Sequence, residues 1–302
     1  AARISEAEKA ENVRLVDIAM PSKFPIRPNK RLNYLTGLII GLVLGFAATS
    51  IVEQLDTSIG TIEDVENYLK LPVLGVIPFS LVEKEKGFMR HSSKQKDKIN
   101  KMKKRLIIYP SVLSSVIEAY HILDTNIWLS FEKKTPPEVI IVSSAASGEG
   151  KTLISANLAI TMAQRGMRVI LIDADLRRPL LYRLFNLQRE PGLSEILSNT
   201  SRLKDALRGF ADLFLGLKQD DTHYLKTAGL NNLQFITPGH LPDNPTALFA
   251  SKTMTAFIDE FAKSFDVVLF DLPPVLPVSD VSLLFPKADA VILVYNVGKT
   301  PR

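Results

Sequence analysis

The residues of this 302-residue chain best suited to chemistry are a small-residue turn ending in lysine and threonine, and three aspartates at or just beyond the ends of two apolar runs. Ser147-Gly148-Glu149-Gly150-Lys151-Thr152 follows the β-branched run 139–142 and precedes a helical pattern over 153–164. Strand, loop and helix in that order form a cradle for phosphate. The N–H groups of the loop and first helical turn point at the anion, and the helix dipole favours it. In such a loop Lys151 reaches the β- and γ-phosphates, and Thr152 sets its hydroxyl on Mg²⁺. The ligand implied is ATP with Mg²⁺. Ala145 stands where the usual pattern opens with glycine, and alanine serves there only if the backbone avoids positive φ. Alone, Gly-Lys-Thr would also suit an ordinary strand-to-helix turn.

The aspartates decide between these readings. Residues 169–172 are an apolar run ending in Asp173-x-Asp175-x-Arg177, and 267–270 lead in the same way into Asp271-Leu-Pro273-Pro274. Continuous apolar runs read as strands of a parallel sheet covered on both faces. In open α/β sheets, ligands bind beyond the carboxyl ends of the strands. Aspartate there suits Mg²⁺ and its waters, which assigns Thr152, Asp173 and Asp271 to the metal. Asp173 or Asp175 can accept a proton from an attacking hydroxyl. Lys151, Asp173, Asp175 and Asp271 are thus the candidate catalytic set. Ser147 to Thr152 and Arg177 line the nucleotide.

These segments resemble the deviant phosphate-loop ATPases of the partitioning and septum-site type. More closely, they resemble the bacterial tyrosine kinases of capsule and exopolysaccharide systems. Gly-Glu-Gly-Lys-Thr, Asp-x-Asp-x-Arg and Asp-x-Pro-Pro match that family's three motifs, and no lysine occupies the extra signature position of the partitioning ATPases. The resemblance covers about residues 118–300. It implies a Mg·ATP-dependent protein-tyrosine kinase or ATPase that works with polysaccharide polymerisation and export machinery.

The elements that must position these residues alternate between apolar strands and helical patterns after residue 110. The fold class expected is α/β: a doubly wound parallel sheet carrying the phosphate loop, preceded by a transmembrane helix. The expected organisation is the end of an extracytoplasmic region with a Pro-rich segment (1–33), a membrane helix (34–52), a juxtamembrane segment with a basic linker (53–110), and the ATP-binding domain (111–302). Residues 34–52 carry no charge and nearly span a hydrocarbon core of about 30 Å. Gly37, Gly41 and Gly45 lie on one helix face, where another helix could pack closely. The Pro-rich approach, this helix and Leu71-Pro-Val-Leu-Gly75 resemble the last membrane segment of polysaccharide chain-length determinants. That resemblance implies a plasma-membrane protein with its ATP-binding domain in the cytoplasm. Local charge opposes that topology, because Lys23, Arg27, Lys30 and Arg31 precede the helix and basic flanks stay inside. The stretch 83–105, with ten basic residues against three acids, restores the balance; it reads first as a solvated linker and second as a surface for anionic lipid. It lacks interleaved aromatics, so nucleic acid is not expected as a partner. The absence of cysteine excludes disulfides and thiolate metal sites.

Two departures from the family concern assembly and acceptor. The resemblance places a Glu-x-x-Arg-x-x-Arg helix, used to close a ring of subunits, at Glu118, His121 and Asp124. Neither His121 nor Asp124 can make a guanidinium's bidentate contacts, so a homo-oligomer with an altered interface is expected. The seven tyrosines are scattered, whereas the kinases carry a tyrosine-rich tail. Two other functions therefore stand beside the kinase: a catalytically weak chain-length regulator acting structurally, and a partitioning-type ATPase switch.

Overall fold

The computed structural model describes residues 27–55, 62–78, 94–131, 136–215, 229–276 and 279–297. Most of the Pro-rich segment, the basic stretch up to residue 93 and everything past residue 297 lie outside them. The chain divides into two units, Ala1–Thr57 and Ser58–Arg302.

Among the described residues of the first unit there is one helix, α1 (Lys30–Leu55). Its span Lys30–Ile51 has a mean hydropathy of 1.9 and is long and apolar enough to cross a membrane. The Thr36 and Thr49 hydroxyls donate to Leu32 O and Gly45 O at 2.9 Å, so neither needs water. Around Gly37, Gly41 and Gly45 nothing lies within 4 Å of an added Cβ.

In the second unit α2 (Ile62–Leu69), α3 (Lys94–Lys103) and α4 (Ser114–Leu129) precede β1 (Val139–Ser144). Next come α5 (Lys151–Gln164), β2 (Val169–Asp173), α6 (Leu181–Leu184), α7 (Leu193–Leu197) and α8 (Leu203–Ala206). The edge strand β3 (Leu207–Arg208) and α9 (Phe210–Leu215) lead towards β4 (Leu233–Ile236). Helices α10 (Pro245–Phe249) and α11 (Lys252–Ser264), then β5 (Val267–Asp271) and β6 (Ala290–Val294), complete the described fold. The sheet runs β3-β4-β2-β5-β1-β6 and is parallel apart from the antiparallel β3–β4 pair. Because β1 feeds β2 across the intervening β5, a crevice opens at the strands' carboxyl ends, where such folds bind ligands.

Strand side chains alternate between faces, and the core divides accordingly. Ile140, Val142, Val169, Leu171, Val267 and Leu269 pack with α4 and α5. Ile141, Ile170, Ile172, Val268 and Phe270 pack with α7 and α11 on the other face. Extending the first row by one step at each strand end puts Asp173 and Asp271 on the α5 side.

Part of the expected linker belongs to this core. Leu106, Ile107 and Ile108 are buried with α4 and α5. Asn157, buried in mid-α5, accepts from Ile107 N at 3.0 Å and donates to Arg105 O at 3.1 Å. Burial, countered only partly by a hydrogen bond to Asn157, pushes the Tyr120 phenol up to about 12. Residues 71–78 form an extended strap on α4. Asn126 Nδ2 donates to Leu74 O at 2.8 Å, Leu74 and Ile77 pack on the core, and Gly75 sits against Leu123.

Candidate functional site

The loop between β1 and α5 has the conformation a phosphate cradle needs. Gly148 and Gly150 carry φ of 91° and 98°, which only glycine adopts without strain. Ala145 is not among the positive-φ residues, so its side chain costs nothing in backbone strain. Ala146 N donates to Glu149 Oε2 at 2.9 Å, which folds the loop over its own carboxylate. No side chain caps the start of α5, and its first-turn N–H groups have no intrahelical acceptors.

Lys151 points inward at the strand-end aspartates. Its Nζ lies 2.8 Å from Asp175 Oδ2 and 3.9 Å from Asp271 Oδ1. Burial disfavours the ammonium, but Asp271, Asp175 and Asp173 outweigh it and raise the lysine's pKa. Asp173 is fully buried. Its Oδ1 accepts from Asp175 N at 3.3 Å and its Oδ2 from Leu181 N at 3.0 Å. Burial foremost, and then the Asp271 and Asp175 carboxylates, push it well above the usual carboxylate range. Burial likewise raises Asp271, against the pull of Lys151 and the Thr152 hydroxyl. Asp175 Oδ1 accepts from Arg178 N at 3.0 Å.

Asp271 Oδ2 is buried with no hydrogen-bond partner. An orphaned carboxylate oxygen is costly to leave dry. Three buried acids facing one ammonium also leave a surplus of negative potential. Both observations fit a divalent cation held beside Thr152. Among the described residues no three His, Asp or Glu form a metal cage by themselves. Mg²⁺ characteristically binds through one or two carboxylates and completes its shell with water and phosphate oxygens.

Lys151, Thr152, Asp173, Asp175 and Asp271 thus converge. Ser147 and Gly148 are exposed on the loop and Glu149 and Gly150 are half-buried there, while Arg177 is exposed two residues beyond Asp175. Two serines escaped the sequence reading. Ser155 Oγ lies 3.2 Å from Asp271 Oδ1, and Ser143 Oγ donates to Pro273 O at 2.7 Å, tying β1 to the turn after β5. The signal for Ser155 was available, since it is one helical turn after Lys151.

On α4 the expected interface residues separate. Glu118 and His121 are exposed, but Asp124 is 3% exposed and faces inward. It accepts from Trp128 Nε1 at 2.9 Å and pairs with Arg165 Nη1 at 3.2 Å. The Arg165 guanidinium also lies 4.8 Å from the Trp128 ring centre. Asp124 is therefore an intramolecular anchor between α4 and α5, not a position on the outer face of α4.

Residues 140–239 match the model of the CobQ/CobB/MinD/ParA nucleotide-binding domain family. The chain is 33% identical over 208 residues to the tyrosine-protein kinase YwqD of Bacillus subtilis, covering 69% of this chain and 80% of that protein. It is 30% identical over 292 residues to the putative tyrosine-protein kinase EpsB of Ralstonia solanacearum, covering 97% of this chain and 36% of that protein. The chain spans little more than a third of the length of such longer relatives. Among solved structures, the kinase domain of the Escherichia coli tyrosine kinase Etk superposes with a TM-score of 0.64 at 27% identity, covering 80% of this chain and 84% of that one.

Proposed function

The chain belongs to the bacterial tyrosine-protein kinase family, and from that premise we propose that it is a membrane-anchored protein-tyrosine autokinase using Mg·ATP. It acts in the plasma membrane with its nucleotide site in the cytoplasm, and it regulates the chain length and export of a capsular or extracellular polysaccharide. The observation that carries the chemical part is the convergence of Lys151 on Asp175 and Asp271 beneath an uncapped, glycine-bent loop. The apolar helix α1 supports the anchor.

In this reading the loop N–H groups bind the phosphates, and Lys151 leaves Asp175 to neutralise charge on the transferring group. That movement frees Asp175 to take the proton of a tyrosine hydroxyl. The hydroxyl oxygen forms the new P–O bond, the bond from the γ-phosphorus to the bridging oxygen breaks, and ADP departs. Asp173 is held by two backbone N–H groups and is completely buried. It orients the site and does not meet the acceptor. Thr152 and Asp271 would hold Mg²⁺, with Asp173 behind them. When bound, the ion supplies positive charge at the phosphate oxygens. Transfer of radiolabelled phosphate from ATP to tyrosine by the chain with its natural flanking sequence, and its loss in Lys151→Met, is the expected result. Transfer that is absent, or that survives Lys151→Met, would remove the kinase reading.

A structural chain-length regulator is the second reading, favoured by the inward turn of Asp124 in the assembly helix. If Lys151→Met leaves polymer length and export unchanged in cells, that reading replaces the first.

A further inference from the structure

Ser155 is fully buried on α5. Its Oγ lies 2.9 Å from Lys151 O and 3.2 Å from Asp271 Oδ1. A serine hydroxyl holds one proton and can satisfy only one of these oxygens. Lys151 O already accepts the N–H of Ser155 through the helix ladder, so the carboxylate is the needier acceptor. A hydroxyl bonding back to the preceding turn is ordinary in helices. A second acceptor 116 residues away, at the end of a central strand, is not. Asp271 Oδ1 also faces Lys151 Nζ at 3.9 Å, and the Thr152 hydroxyl lies beside the same carboxylate. Ser155 and Lys151, both from the first turns of α5, thus meet Oδ1, while Oδ2 is buried without a hydrogen-bond partner.

We infer that Ser155 is a positioning residue for the divalent cation. By donating to Oδ1 it fixes the rotation of the Asp271 carboxylate, so that Oδ2 is kept for the ion's water shell. The assignment rests on the nucleotide-site reading above. It separates two affinities: Ser155 governs how tightly Mg²⁺ is held and leaves the phosphate loop's own grip on nucleotide unchanged.

The test is binding of a fluorescent ADP analogue to the full chain in detergent, titrated with Mg²⁺, for wild type, Ser155→Ala and Ser155→Thr. Partners that orient a metal-binding group typically change metal affinity by about 10- to 100-fold. In Ser155→Ala the Mg²⁺ concentration giving half of the tight binding should therefore rise about tenfold, with metal-free binding unchanged. Ser155→Thr, which keeps the hydroxyl, should restore the wild-type value to within about twofold. Equal half-points in wild type and Ser155→Ala would overturn the assignment. Equal weakening with and without Mg²⁺ would also overturn it, as the mark of a purely structural role. If wild-type binding ignores Mg²⁺ altogether, the assignment is overturned while the nucleotide site stands; if wild type binds no nucleotide, the nucleotide-site reading itself fails.

Discussion

Asp173 and Asp271 are register partners, side by side at the carboxyl ends of the adjacent parallel strands β2 and β5. Two acids so placed, both fully buried, repel each other and resist ionisation together. Their proximity is a standing strain on the fold, and positive charge placed between them would relieve it.

Asp173→Asn should therefore stabilise the chain while disabling it. Asp173 titrates well above the usual carboxylate range in the fold. Its contribution to stability is present below the unfolded value of about 3.9 and is lost as pH rises through its folded value. The variant should melt with wild type at low pH and later than wild type near neutrality, by about 1–2 kcal/mol. Thermal unfolding across pH, without nucleotide or Mg²⁺, checks this. A wild type that melts higher than the variant at neutral pH would refute it.

Lys151→Met should act in the opposite direction. It removes the ammonium 2.8 Å from Asp175 and leaves the carboxylates to repel one another. We expect a lower melting temperature, partly recovered on acidification, and phosphate transfer reduced about a hundredfold or more. Melting curves and radiolabel transfer on the same preparation measure both.

Asp124→Arg would supply the arginine that the family's assembly helix carries, yet should not promote assembly. The new guanidinium would be buried beside Arg165, where a carboxylate now sits. Leaving a buried charge uncompensated costs roughly 3–5 kcal/mol. Arg165 is 41% exposed in its side chain, so solvent screening brings the expected loss to about 2–3 kcal/mol. Denaturant unfolding measures the loss, and sedimentation velocity would expose any gain in assembly.

Leu42→Lys places a charge near the middle of α1 and should weaken membrane retention. The insertion cost at a helix centre is about 2.5–3.5 kcal/mol. Fractionation of cells expressing the chain, with and without the substitution, tests it. Equal retention would mean that α1 is not the anchor.

Strands β2 and β5 were legible because buried parallel strands are written as unbroken apolar runs, and an aspartate ending such a run stands out. The phosphate loop was legible because glycine is needed where φ is positive. The orientation of Asp124 was not legible from the family's spacing. Steps of three residues rotate backwards by about 60° relative to full helical turns, so Glu118, His121 and Asp124 drift from the exposed side of α4 towards α5. The core role of Leu106-Ile107-Ile108 was hidden as well. A three-residue apolar run after a basic stretch has no period, and only the side chain of Asn157, fifty residues away, reveals its docking. Ser155 was passed over because serine in a helix carries no signal until its strand-end partner is known.

The pairing of Asn157 with the backbone of Arg105 and Ile107 has a practical consequence for anyone preparing the soluble unit. A fragment cut to begin at β1, or at Ile140 where the nucleotide-binding family alignment starts, would unroof α5. It would orphan the Asn157 amide and uncover the apolar faces on which residues 71–78 and 106–112 and α4 rest. Each buried polar group left unmet costs about 1–3 kcal/mol, and the bared surface invites aggregation. The shortest piece worth expressing starts near Leu71 and keeps the basic stretch. Residues 71–78 and 105–112, which look in the sequence like parts of a disposable tether, are the footing of α4 and α5.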